Sequence, residues 1–287
     1  MGLRCWIPAV ALVAIAGCKG ATGLDGLTVG NVDVGQLNRN LAGLRDVPQP
    51  EEIEIGRGVT ETLLGASPVA PDPELQRYIN TVGRWVAQQS ERPDLPWHFV
   101  VNDSEVVNAV ATPGGNVIVT KGMLRELRNE SELAGLLGHE VAHVVRRHHL
   151  NAIRKTSFMA LLAQGAQAAA SNTRSQELVE ALVGPTKDLY ARGLDKSDEF
   201  EADRMGVVLA TRAGYDAWGL PYAIQTLATL KPDDDAVKLL FKTHPSPSAR
   251  LEQLATVMGT RFDAYANGAQ NTERYVRMTA RMRLAAR

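Results

Sequence analysis

The sequence predicts an α+β fold: a mostly helical single domain with a small β-sheet flanking one histidine-bearing helix. Helical periodicity recurs along most of the chain beyond residue 122. Extended, β-branched stretches around a Thr-Pro-Gly-Gly turn are confined to residues 97–120. A composition of 45% apolar and 22% charged residues over 287 positions suffices for one sizeable core. The formal net charge of −1 gives no electrostatic footing for nucleic acid, and no such partner is expected.

Taken in order, MGLR is a short basic head, and the apolar run that follows is too short for a comfortable membrane span. The run ends Ile15-Ala16-Gly17-Cys18, which resembles the lipobox of bacterial lipoproteins. Residues 1–17 then form a signal peptide, and Cys18 carries lipid that anchors the chain to a membrane. Lys19 follows where an aspartate would favour inner-membrane retention, so in a Gram-negative host the expected location is the periplasmic face of the outer membrane. The only other cysteine is Cys5, inside the removed segment. Residues 18–48, rich in Gly, Asn and Asp, read as a tether with a short helix near Leu37–Leu44.

A domain is expected over 49–260. Glu51, Glu52 and Glu54 favour the first turn of a helix from Pro48 to Leu64. Asp72-Pro73 caps the next, whose Leu75, Ile79, Val82 and Val86 form one apolar stripe. Strands are expected at 97–101, 106–111 and 116–120. Helical patterns follow at 130–149, 157–170, 176–190, 198–212, 221–230 and 248–258. Residues 261–287 hold six arginines against Asp263 and Glu273. They read as a basic helix packed on the domain, with Tyr275, Met278 and Met282 inward and the arginines in water.

The chemistry lies in Gly138-His139-Glu140-Val141-Ala142-His143. Residues i and i+4 of a helix share a face, so His139 and His143 present two imidazoles to one point, which suits zinc. Glu140 lies about 100° round the helix. It is too far round to join the pair, yet within reach of a water that the metal polarises, as a general base. A chance HExxH in a chain this long arises on the order of once in 100, so its setting matters. Gly135, Gly138 and Ala142 lie on or beside the histidine face and let another element approach closely.

Zinc needs a third protein ligand. In Ser197–Gly206, positions Glu199, Ala202, Asp203, Gly206 and Ala210 share one helical face of small residues with two acids at its start. Glu199 is assigned to the metal. Asp203, one turn on, is placed to accept the free N–H of a ligating histidine. Glu201 points elsewhere, toward Arg204 and a surface ion pair. One zinc ion per chain is expected. His148 and His149 fall off the 139/143 face and read as solvent-facing, with Arg146 and Arg147.

Together, Gly138–His143 and Glu199-Phe200-Glu201-Ala202-Asp203 resemble the HExxH plus ExxxD pattern of the CAAX prenyl protease/HtpX family of zinc metallopeptidases, of the gluzincin type. Asn108-Ala109, Pro113-Gly114-Gly115 and Thr243-His244-Pro245-Ser246 extend the likeness across roughly residues 50–258. Without predicted membrane helices, the chain is similar to the soluble BepA- and LoiP-like lipoprotein branch.

The resemblance implies a gluzincin-like metallopeptidase domain with His139, His143 and Glu199 on zinc and Glu140 as general base. It implies envelope proteolysis of unfolded or misassembled proteins, or a chaperone role beside the outer-membrane assembly machinery with proteolysis gated or silent. It places His244 near the metal, restraining the site or donating to an oxyanion, with Arg250 in the matching supporting position. It makes Asn116, Val117 and Ile118 part of a strand edging the cleft, which with Asn108 and Ala109 would bind an extended substrate through the main chain.

Overall fold

A computed structural model of the chain describes residues 28–29, 32–33, 47–163 and 186–284. The chain divides into two units, Met1–Leu44 and Arg45–Arg287. In the first, Thr28–Val29 (β1) and Val32–Asp33 (β2) pair antiparallel. Cys18 and the helix expected near Leu37–Leu44 lie outside the described residues, as does most of 157–185.

In the second unit Pro48 precedes α1 (Gln49–Ala66). Asp72 accepts from the backbone N–H groups of Glu74 and Leu75 at 3.1 Å each, and Pro73 opens α2 (Pro73–Ala87). The cap satisfies donors that the first turn would otherwise leave free. Leu75, Ile79, Val82 and Val86 are all buried, as their spacing predicts. The sheet consists of β3 (His98–Asn102), β4 (Ala109–Thr112) and β5 (Asn116–Thr120). Its order is β3-β5-β4, with β3 parallel and β4 antiparallel to β5. Gly114 and Gly115, at φ 79 and 108, make the turn that returns β5 along β4.

This order corrects one expectation. The strand carrying Asn116, Val117 and Ile118 is the central one, not an edge. Both its flanks are committed to neighbouring strands, so its main chain has nothing left to offer an extended substrate. The edge beside the histidine helix is β4.

After α3 (Lys121–Glu126), Asn129 caps α4 (Glu130–Val145) by accepting from Glu132 N–H at 2.9 Å. Every residue from Glu130 to Val144 is buried, so α4 runs through the middle of the core. Packed on it are β4, α2, α7 (Lys196–Arg212) and α8 (Gly219–Leu227). Contact with α7 is closest at two glycines. A Cβ on Gly138 would lie 2.8 Å from the Gly206 carbonyl oxygen, and one on Gly206 would lie 2.7 Å from the His139 nitrogen.

The helix expected to continue to His149 stops at Val145. Arg147 takes the left-handed conformation at φ 58, and α5 (His148–Ala163) sets off anew. Such a backbone is unfavourable for a side chain with a Cβ and persists where its surroundings impose it. Glu52 of α1 supplies part of that constraint. Its buried carboxylate bonds both Arg92 terminal nitrogens at 2.8 Å and pairs with Arg147 Nε at 3.1 Å. The remaining described helices are α6 (Thr186–Arg192), α9 (Lys238–Thr243), α10 (Pro247–Met258) and α11 (Thr272–Leu284).

Helix α11 buries Tyr275, Thr279 and Met282, while Met278 is only partly covered. Two of its arginines are not simply in water. Arg283 donates to the Arg125 and Leu127 carbonyl oxygens at 3.0 and 2.8 Å. Arg274 pairs with Glu130, which also accepts from Tyr78 at 2.8 Å, Tyr215 at 2.9 Å and Asn271 at 2.9 Å.

Candidate metal centre

The fixed approach of α4 and α7 brings three ligand groups together. His139 and His143, one turn apart, aim their Nε2 atoms at the same place, 3.0 Å from each other. Glu199 reaches in from α7, with Oε2 3.7 Å from His139 Nε2 and Oε1 3.6 Å from His143 Nε2. All three side chains are at least 97% buried, at 1%, 2% and 3% exposure.

The donor set passes a chemical test for zinc. Two imidazole nitrogens and a carboxylate are a common three-residue protein contribution to a zinc site that works as a catalyst. Glu199 Oε2 is buried with no hydrogen-bond partner among the described residues, so its ionised form would call for a cation beside it. Burial pushes the Glu199 carboxyl up to about 8, a cost that a bound dication would offset.

Behind His139, Asp203 Oδ1 lies 2.9 Å from Nδ1. Arg250 of α10 grips Asp203 in turn, donating from Nε at 2.9 Å and from Nη2 at 2.6 Å. Burial alone would raise the Asp203 carboxyl; the Arg250 charge and hydrogen bonds overcome it and hold it well below the usual carboxylate range. An ionised Asp203 fixes the proton of His139 on Nδ1 and leaves the Nε2 lone pair free to take a metal.

Glu140 and His244 complete the cluster. Ligand-capable atoms of His139, Glu140 and His244 all lie within 4.8 Å of one another. The Glu140 carboxyl, buried and bonded to the Ala111 backbone, is pushed up to about 8 by burial. His244 follows α9, with Nε2 3.6 Å from Glu199 Oε2. Burial lowers it to about 3, so its ring is neutral in this arrangement.

Of the residues expected to bind substrate, Asn108 and Ala109 stand beside Glu140 and His244 on the wall of a small cavity. Asn116, Val117 and Ile118 do not line it. Thr120 N–H donates to the Asn108 carbonyl at 3.1 Å, so in this antiparallel pair Asn108 and Val110 turn their groups to β5. Ala109 and Ala111 turn theirs outward. The Ala111 carbonyl already accepts from Tyr190 Oη at 3.0 Å, which leaves Ala109, among the described residues, as the open main-chain position beside the histidines.

One expectation fails here. His148 and His149 do not face solvent. His148 is 6% exposed, with Nδ1 3.0 Å from His143 Nδ1. The His149 ring lies 5.3 Å from that of His143 and stacks on Tyr190 at 4.8 Å. The cause is the break at Arg147, which turns the chain back over the ligand helix. Glu201 makes a surface ion pair, as expected, and its partner is Arg146 at 3.1 Å. Tyr190 was missed altogether: a single tyrosine between Leu189 and Ala191 carries no motif.

Comparison with known proteins places the chain among peptidases. The model of a family described as Peptidase family M48 matches residues 73–258. The beta-barrel assembly-enhancing protease of Escherichia coli (strain K12) is 29% identical over 208 residues, covering 70% of this chain and 42% of that protein. Mitochondrial metalloendopeptidase OMA1 of Arabidopsis thaliana is 31% identical over 170 residues, covering 59% and 33%. Metalloprotease YcaL of Escherichia coli (strain K12) is 32% identical over 163 residues, covering 55% and 61%. The match thus spans less than half the length of the first two relatives.

Proposed function

The chain belongs to peptidase family M48, and from that membership we propose that it is a zinc-dependent endopeptidase of the bacterial cell envelope, acting on misfolded or misassembled envelope proteins. The observation that carries this reading is the convergence of His139, His143 and Glu199 on one buried point, with Glu140 beside it. Zinc bound there would supply a Lewis acid for the scissile carbonyl and for the attacking water.

The chain's own residues do the rest. Glu140 takes a proton from the attacking water and passes it to the leaving amine. Ala111, bonded to Glu140, holds that carboxylate in place. His244, whose neutral ring gives its Nδ1–H to the Leu240 carbonyl, restrains the site through Nε2 in the resting state or, once protonated, donates to the oxyanion. Ala109 pairs with the substrate main chain as an added strand, which makes little demand on side-chain sequence and suits unfolded chains.

Lipid at Cys18 would hold the enzyme at the periplasmic face of the outer membrane. Among the described residues no helix is long and apolar enough to cross a membrane. The name of the assembly-enhancing relatives supports outer-membrane proteins and their assembly machinery as substrates and partners.

A second reading, an assembly factor whose proteolysis is gated, is favoured by one observation. The cavities beside Glu140 measure about 10 and 30 Å³, room for a water molecule and not for a peptide. The test is casein cleavage by the purified protein and by Glu140→Gln, with zinc content measured in both. Cleavage by the first alone supports the peptidase. Cleavage by neither, with zinc in both, supports the gated factor. Cleavage by both refutes the role of Glu140.

A further inference from the structure

We propose that His148 is a positioning residue for the metal centre: it accepts the Nδ1–H of His143 and thereby fixes the tautomer and ring plane that aim His143 Nε2 at the metal. The inference rests on the reading of His139, His143 and Glu199 as zinc ligands.

The two Nδ1 atoms are 3.0 Å apart and the rings meet edge to face, with centroids 5.1 Å apart and planes at 74°. One nitrogen of such a pair must donate and the other accept. A histidine that ligates through Nε2 keeps its proton on Nδ1, so His143 is the donor and His148 the acceptor. The proton of His148 then sits on Nε2. That atom faces two carboxylates, Glu201 Oε2 at 3.5 Å and Asp198 Oδ1 at 3.9 Å, which favour an N–H there over a lone pair. Both acids come from α7, which also carries Glu199. One helix therefore supplies a ligand and orients a second one through an intermediate imidazole.

The two ligand histidines are supported in different ways. His139 leans directly on a carboxylate that an arginine holds ionised. His143 leans on a neutral ring, with carboxylates one step further out. In a continuous helix, position 148 would sit about 140° round from 143 and could not serve. The left-handed turn at Arg147 brings it back, and the ion pair of Arg147 with buried Glu52 helps hold the turn. His148 is thus delivered by a constrained backbone and closed off from solvent.

Two variants of the full-length protein separate this role from simple packing. In His148→Asn the amide oxygen takes the place of Nδ1 and can still accept. In His148→Gln the amide reaches the Nε2 place instead, so polarity is kept and the acceptor is lost. Zinc affinity is measured by chelator competition, the ligand field by the visible spectrum of the cobalt-substituted protein, and folding by the melting temperature of the metal-free form. The expected result is a loss of affinity of about 10–100-fold in His148→Gln with an altered cobalt spectrum, and near wild-type behaviour in His148→Asn. Equal affinities in all three proteins would overturn the proposal. So would a loss in both variants that tracks a lowered metal-free melting temperature. A wild-type protein that binds no zinc would sink the reading of the ligand set itself, a different failure.

Discussion

Arg250 donates to both carboxylate oxygens of Asp203, at 2.6 and 2.9 Å, while Asp203 also holds Nδ1 of His139. The three side chains are buried, so each depends on the others for its charge or orientation. Asp203→Asn keeps the shape and loses the ionised acceptor. It is expected to weaken zinc binding about 10–100-fold in a chelator competition while the protein stays folded. Arg250→Leu leaves a buried carboxylate uncompensated and is expected to cost about 3–5 kcal/mol in urea unfolding.

Gly206 admits no side chain without moving the backbone of α4. Its Cβ would lie 2.7 Å from the His139 nitrogen, which cannot swing aside as a flexible side chain would. Gly206→Ala is expected to lower stability by about 1–3 kcal/mol and to weaken zinc binding, since the displaced helix carries both histidines. Urea unfolding of the metal-free form and chelator competition read the two effects separately. Unchanged zinc affinity would show that α4 and α7 can part without spreading the ligands.

Glu52 joins Arg92 and Arg147 inside the protein, with its own side chain fully covered. Replacing it with glutamine leaves guanidinium groups at least partly desolvated without their counter-charge. Glu52→Gln is expected to cost about 3 kcal/mol in urea unfolding. Faster amide exchange at residues 146–149 would place the damage at the left-handed turn. An unchanged urea midpoint would mean that other contacts fix Arg147.

Glu130 sets an acid limit on stability. Burial by itself would raise its carboxyl; the hydrogen bonds from Arg274, Tyr78, Tyr215 and Asn271 outweigh burial and hold it below its ordinary value of 4.5. Because the folded pKa is the lower one, the stabilisation is complete above about pH 4.5, where both states are ionised. It is lost as pH falls from there through the folded pKa, where the unfolded chain takes up the proton first. Glu130→Gln is therefore expected to be less stable at neutral pH and to show a shallower fall in urea midpoint between pH 5 and about pH 3. Parallel pH profiles for the two proteins would contradict this.

The pattern proposed to hold the metal could be sought in sequence because its geometry is local. HExxH fixes two rings by the helix repeat alone, and the Glu199–Asp203 face stood out as a small-residue stripe that carries acids. The Asp72-Pro73 cap was legible for the same reason. The turn at Arg146 and Arg147 was not. VVRRHH contains no glycine or proline, and its break is braced in part by Glu52, a partner remote in sequence. Strand order was hidden likewise: a β-branched run marks Asn116–Thr120 as a strand but does not say that β3 and β4 flank it. Both gaps led to errors at the site, one over His148 and His149 and the other over which strand offers an edge.

The ion pairs of Glu52 and Glu130 also bear on where this chain can be cut. The segment matched by the family runs from 73 to 258. Glu52 lies before it, and Asn271 and Arg274 lie after it. Excised at those limits, the protein would keep Arg92 and Arg147 without the acid between them, and Glu130 without its guanidinium. The shortest piece that retains every one of these partners, with the helices that carry them, runs from Gln49 to Leu284. Shared ancestry and self-sufficiency in folding therefore have different boundaries in this chain, and a truncation designed from the first would sacrifice the second.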